Sequence, residues 1–354
     1  MTQDLWWGTY PPAGLGTPVG MGEGLYRQTG FTARRELEFD APSFVVAHPS
    51  LPLLYVTSES PASQFHVVDV GGLAPRVLAS VATGGADACH ILLGPNATVA
   101  YVCHYGSGDV AVVRLGEAGL PLPDAPHQLI GHQGSGPRED RQEGPHAHQA
   151  AIAPGGKHLL VADLGTDEIR RYALDAQGLL SEPAIAATLP PGSGPRHMVV
   201  RGELIYVVCE LDHQLRTLRW APGDAQADVI AEVPTTNVAQ RTGDAVYDAH
   251  VDIVGDVLLI SVRGADVLAV FDLSPEGEAR YRTSLDVGEW PRFFAASGDK
   301  LHVGAERAHE VRAYDLASVL ALPPETSVGG IAALPFDSAH VVSPACVTAV
   351  PAPR

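Results

Sequence analysis

Polar residues able to bind anions and move protons recur at the heads and tails of apolar runs in this chain. His90, His148, the pair Arg196–His197, His250 and the pair Arg292–Phe293 head such runs. Glu59, His104, Asp163, Glu210, Arg263 and Glu306 stand at or just past the ends of the runs that follow. Arginine recognises carboxylate or phosphate through two parallel N–H donors and keeps its charge. A histidine or glutamate beside it can take a proton from water. A cationic donor near an attacked carbonyl stabilises the oxyanion that forms. Brought together, these side chains describe hydrolysis at a carbonyl of a small anionic molecule.

The elements that must hold them repeat. Segments starting at Phe44, His90, His148, His197, His250 and Phe293 share one pattern: an apolar strand, a tight turn, a second apolar strand, a polar loop and a third, alternating strand. The turns are strings such as "PGGK", "RGE" and "SGDK". No sustained 3.6-residue period marks a long helix. Units of roughly 40–50 residues, each about four strands, are the signature of a β-propeller, whose sheets bury their faces by packing in a ring. "DLWWGTY" and "GEGLYRQ" near the start and "HVVSPACVTAV" near the end supply one more unit, so Met1–Tyr26 and His340–Val350 are expected to share a blade. The expected fold is all-β, a seven-bladed β-propeller closed by strands from both termini. It forms a single domain over residues 1–354, with a long insertion at about 116–145 of the kind that is more often functional than idle.

In such a blade the first strand is innermost. The head of strand one and the tail of strand two therefore meet at one mouth of the central channel. That places the residues above around one opening, with Arg196 near the axis and Arg263 on a loop farther along the rim. "GPHAH" delivers His148 to that mouth, and the loop before it roofs the same face. A recurrent histidine can also arise from a repeat rule that fixes a turn, and Glu59 and Glu306 read as solvated or structural. Glu210 and Arg263 differ from their counterparts in other units, so a repeat rule does not account for them.

Composition removes several classes of function. The net charge is −18, and only Lys157 and Lys300 are lysines, so no basic tract exists for nucleic acid. The apolar runs are strand-length and broken by Gly or Pro, and the N-terminus lacks the basic and apolar regions of a signal peptide, so no membrane association is expected. Four scattered cysteines without a CxxC pair suit a reducing compartment. The expectation is a cytoplasmic monomer. His146 and His148 of "HAH" could begin a zinc site, but no spacing supplies a third ligand, and no metal is assigned. The "GSG" strings precede no helix, which argues against a phosphate-cradling loop.

These residues lie in motifs that resemble the seven-bladed propeller lactonase family, which includes propeller-type 6-phosphogluconolactonases and fungal carboxy-cis,cis-muconate cyclases. The similar stretches include "GEGLY", "PSFVVAHP", "HQGSGPREDRQEGPHAHQ", "VADLGTDEI", "LPPGSGPRHMVV" and "VCELD", with looser likeness around "DAHVDIVGDVLLISVRG" and "WPRFFAASGDK". The resemblance implies a channel-mouth site at His148, Arg196, Glu210 and Arg263, the set the repeat argument reaches on its own. "NVAQRTGDAVYDAH", "CHYG" and "GAER" depart from the family pattern on the same face.

The expected function is hydrolysis of a sugar-type lactone, most simply 6-phosphogluconolactone, without a cofactor. Glu210 or His148 would deprotonate water, and Arg196 would steady the oxyanion. Arg263 and Arg292 would hold the anionic group, with His197, His250 and His90 lining the substrate site. A muconate-type cyclase and a non-catalytic scaffold are the rival readings.

Overall fold

A computed structural model describes residues 4–10, 22–223, 225–241 and 245–350. Among them the strands form seven antiparallel sheets, one of which carries an added parallel strand. The sheets form a ring because their innermost strands pack one against the next all the way round. These strands are Phe44–Ala47, Ala88–Leu93, Ala147–Ile152, Pro195–Arg201, Tyr247–Val254, Pro291–Ser297 and Pro344–Ala349. Blades 1 to 7 are numbered here in that order.

Each blade's apolar residues face the next blade rather than a central core. Leu160, Ala162 and Ile169 of blade 3, for example, meet Met198, Ile205 and Val207 of blade 4. Packing of this kind is what lets a sheet with two apolar faces stay folded. A polar contact recurs at the outer part of the interfaces. Tyr55, Tyr101 and Tyr206 each donate a hydroxyl to the carbonyl of a turn glycine in the following blade, at 3.0, 2.9 and 2.7 Å. Gly119, Gly178 and Gly277 sit at φ +72°, +77° and +86°, a backbone conformation that favours glycine.

Blade 7 closes the ring with strands from both termini as the sequence predicts, but His340 ends the outer strand of blade 6 and the N-terminal share runs past Tyr26 to Glu38. Pro344–Ala349 is its inner strand and pairs with Leu5–Thr9, followed outward by Gly24–Thr29 and Thr32–Glu38. Met1–Gln3 and 11–21 lie outside the described residues.

Two features were not expected. The segment 116–145 is no simple insertion, because it contains Gln128–Gly131, the outer strand of blade 2. Blade 6 places the five-residue helix Leu316–Leu320 between its third and fourth strands, capped by Asp315, and the same connection adds Ile331–Ala332 in parallel to blade 5. No described helix is long and apolar enough to cross a membrane.

Candidate active site

A backbone irregularity makes the site. In blades 2, 3, 4, 6 and 7 the pairing of the inner strand skips one residue near the channel mouth. Ala88 and His90, for instance, face consecutive partners across the ladder while Cys89 is left unpaired. The skipped residues are Cys89, His148, Arg196, Arg292 and Ala345. A β-bulge re-aims the extra side chain. All five line one pocket, together with Tyr10, Glu59, Tyr105, Arg141, His197, Glu210 and Arg263.

Glu210 is the hub of this pocket. It follows the second strand of blade 4 and is 3% exposed. Its Oε2 lies 2.8 Å from Arg196 Nε and accepts from Arg263 Nη2 at 2.8 Å, while Oε1 accepts from Arg141 Nη2 at 2.5 Å. Burial alone would raise its carboxyl, but the guanidiniums of Arg263, Arg141 and Arg196 pull it well below the usual range. The arginines respond in turn. Burial, then repulsion from Arg263 and Arg292 partly offset by Glu210, brings Arg196 down to about 9. Backbone carbonyls fix two of them: Arg196 Nη1 donates to Ala249 O, and Arg263 donates to Tyr247 O and Asp248 O. Arg292 lies with its guanidinium carbon 3.5 Å above the Tyr10 ring and pairs with Glu306 at 3.2 Å. Four arginines against Glu59 and Glu210 leave the lining positive inside a strongly acidic chain. Glu59, half-buried, tends further toward neutrality because burial raises its carboxyl.

The imidazoles form a second layer. Burial, reinforced by Arg196, holds His148 well below its ordinary value, so it stands neutral beside the arginines. His197 also lines the pocket, and its Nδ1 meets His250 Nδ1 at 2.9 Å, so one ring donates and the other accepts. His90 and His250, expected at the substrate, instead pack behind His197. The His250 ring stacks on Phe293 at 3.9 Å, and the His90 ring sits 4.5 Å from Phe44. His90 is the residue after the bulge in its strand and pairs with Cys103, so it belongs to the regular ladder that fills the channel.

This packing carries a pH-dependent cost. Burial, with Arg196 adding to it, pushes His90 down to about 3, so only the unfolded chain takes up its proton below about 6.5. Stability from this site is complete above 6.5 and is lost as pH falls below it. Between pH 7.5 and 5.5 the loss is about 1.4 kcal/mol. His90→Phe removes that share, so urea unfolding should show the variant losing about 1.4 kcal/mol less than wild type over this range. Equal losses would show that His90 is not held neutral.

Three other expectations need correction. His104 and Asp163 turn away from the mouth into the blades. His104 Nδ1 meets Asp109 Oδ1 at 2.7 Å and its Nε2 meets Thr83 Oγ1 at 2.7 Å, while Asp163 pairs with His132 at 2.6 Å. Both are the last ladder residues of their strands, whereas the pocket is reached one residue later, by Tyr105 in blade 2 and Glu210 in blade 4. Arg263 is not on an outlying loop: it ends a strand and shares Glu210 Oε2 with Arg196. The two histidines of "HAH" part company, since His146 Nδ1 bonds Tyr105 O at 2.7 Å while the bulge turns His148 to the channel. Among the described residues no group of three or more His, Cys, Asp or Glu is placed to hold a metal ion. Glu306, fully buried against Arg292, fits the structural half of the expectation, whereas Glu59, expected alike to be solvated or structural, lines the pocket.

Arg141, Tyr105 and Tyr10 escaped the sequence reading. Arg141 comes from the loop before "GPHAH", whose position over this face was legible although its arginine was not singled out.

A family model described as "Lactonase, 7-bladed beta-propeller" matches residues 25–321. The chain belongs to the seven-bladed β-propeller lactonase family. Similarity to individual proteins is modest. An uncharacterized protein of Lactococcus lactis subsp. lactis is 27% identical over 67% of this chain and 68% of its own. An Arthroderma benhamiae protein named "Probable 6-phosphogluconolactonase" is 33% identical over 35% of this chain and 32% of its own. The solved structure of the periplasmic gluconolactonase of Pseudomonas aeruginosa aligns over 99% of both chains with a TM-score of 0.80 at 22% identity, which shows a shared fold. In this lactonase-family propeller the bulge residues and Glu210 are part of the lining of one mouth.

Proposed function

We propose that the protein hydrolyses a sugar-type lactone, with 6-phosphogluconolactone as the leading substrate. The observation that carries this reading is a neutral imidazole, His148, beside guanidiniums held in place by one carboxylate. His148 takes a proton from water, and the water oxygen bonds to the lactone carbonyl carbon. Arg196 faces the oxyanion. Collapse of the tetrahedral intermediate breaks the ring C–O bond, and the leaving alkoxide takes the proton back from His148, giving the open hydroxy acid. Glu210, committed to three arginines, serves to align them rather than to act as the base. Arg292 contributes positive charge on the far side. The buried, arginine-rich lining favours catalysis over a scaffold, whose binding surface would be an exposed apolar patch.

The names of the Arthroderma and Pseudomonas relatives support the lactone class. The partner is a small anionic substrate, the protomer acts as a monomer, and four buried free cysteines fit a cytoplasmic location.

The test is a panel of phosphorylated and unphosphorylated lactones at pH 6 to 7.5, with spontaneous hydrolysis subtracted. His148→Asn is expected to lower kcat by about 10²-fold or more, the usual scale for a general base. Because His148 is already neutral, the wild-type rate should show no inflection near pH 6.5. Near-full turnover in both His148→Asn and Glu210→Gln would discard this site. Failure of every lactone to exceed background would discard the activity.

A further inference from the structure

The inner part of the pocket holds a cavity of about 40 Å³, room for roughly three water molecules, so a sugar lactone seats fully inside it only if a side chain gives way. The four arginines differ in how they are held. Arg196 and Arg263 are tied to backbone carbonyls, and Arg292 is sandwiched between Tyr10 and Glu306. Arg141 comes from a loop, reaches Glu210 Oε1 at 2.5 Å and Tyr105 OH at 3.4 Å, and has the most exposed side chain of the four, at 15%. Its departure would not strand Glu210, which keeps Arg196 and Arg263.

We infer that Arg141 is the residue that receives the substrate's phosphoryl group, exchanging the Glu210 carboxylate for it as the substrate enters. The inference rests on the lactonase reading above and names the group that sets its substrate preference. The loop need not open for this exchange. Gln142, the next residue, is fully buried, and its Nε2 donates to Leu164 O at 2.8 Å and Asp167 Oδ1 at 2.7 Å. The backbone is thus pinned and only the side chain swings. The Tyr247 ring, 5.3 Å from the guanidinium carbon, offers it a face to rest on. One anion replaces another on the same fork, so charge is conserved at the arginine and the cavity gains the volume that Arg141 vacates.

Arg141→Met and Arg141→Lys test this with two substrates, 6-phosphogluconolactone and glucono-1,5-lactone. Arg141→Met should raise KM for the phosphorylated lactone at least tenfold, with kcat changed less than threefold. KM for the neutral lactone should stay the same or fall. Arg141→Lys, which keeps charge but loses the fork, should fall between. Equal effects on both lactones, or none on either, would overturn the inference. Calorimetric titration with inorganic phosphate separates it from the activity itself. If wild type binds phosphate at least tenfold more tightly than Arg141→Met but turns over neither lactone, the lactonase reading fails and the anion receptor stands. If phosphate binds both proteins alike, or neither, the receptor assignment fails whatever the turnover. Near-ultraviolet circular dichroism of each variant confirms that the fold is intact.

Discussion

Arg196→Met is expected to lower kcat by about 10²-fold or more, the scale seen when one oxyanion donor is removed, while the melting temperature stays level or rises. The two halves of this expectation have one cause. Arg196 is 4% exposed, and burial, with crowding by Arg263 and Arg292, depresses its guanidinium to about 9. A charge held against such opposition costs the fold stability, and an unbranched apolar side chain of similar length relieves it. The bulge keeps Arg196 where it is despite that cost, aimed into the pocket with Nε against Glu210. Steady-state kinetics on a lactone that wild type hydrolyses, paired with thermal denaturation, checks both halves. A variant within fivefold of wild-type kcat would remove Arg196 from the chemistry. A loss of kcat accompanied by a large drop in melting temperature would make its role structural.

The ring was legible in the sequence because inner and middle strands bury both faces. Val99–His104 and Val257–Arg263 are buried at every residue and read as continuous apolar runs. Outer strands lack that signal. Arg76–Ala82 and Gln128–Gly131 face solvent along much of their length, so the second dissolved into an apparent insertion. Ile331–Ala332 is two residues long and pairs with a blade other than its own, which no local pattern can announce.

At the site, legibility followed the same division. Arg196, His148 and Arg292 stood out as polar residues in apolar strands, and the structure brings all three to one pocket. What sequence could not supply was the bulge. It puts Cys89 and Arg292 in the lining but leaves His90 in the ladder behind, although adjacent residues in a strand look alike on paper. A shift of one residue reverses the face on which a side chain emerges, and His104 and Asp163 were misplaced for that reason. Tyr10 and Arg141 reach the pocket from connections whose destinations depend on the closed ring.

Closure itself carries the largest expected effect. Deleting residues 1–26 removes Leu5–Thr9 and with it Trp6 and Trp7, both almost fully buried, the latter donating its Nε1 to Gln28 Oε1 at 2.8 Å. Truncating a buried tryptophan to alanine typically costs about 3–5 kcal/mol, and a whole domain is stable by only about 5–15. Trp7→Ala alone should therefore lower stability by about 3–5 kcal/mol in urea unfolding. The deletion goes further, because Pro344–Ala349 loses its partner strand and Thr32–Glu38 loses part of its own. Two sheet edges then face solvent, and exposed edges recruit other chains. Size-exclusion chromatography should find the truncated protein aggregated or unfolded. Pocket chemistry should vanish with it, since Tyr10, the ring beneath Arg292, is lost too. A truncated protein that remains monomeric and melts at the wild-type temperature would show that blade 7 is dispensable, and the channel mouth would then have to be held by the other six blades alone.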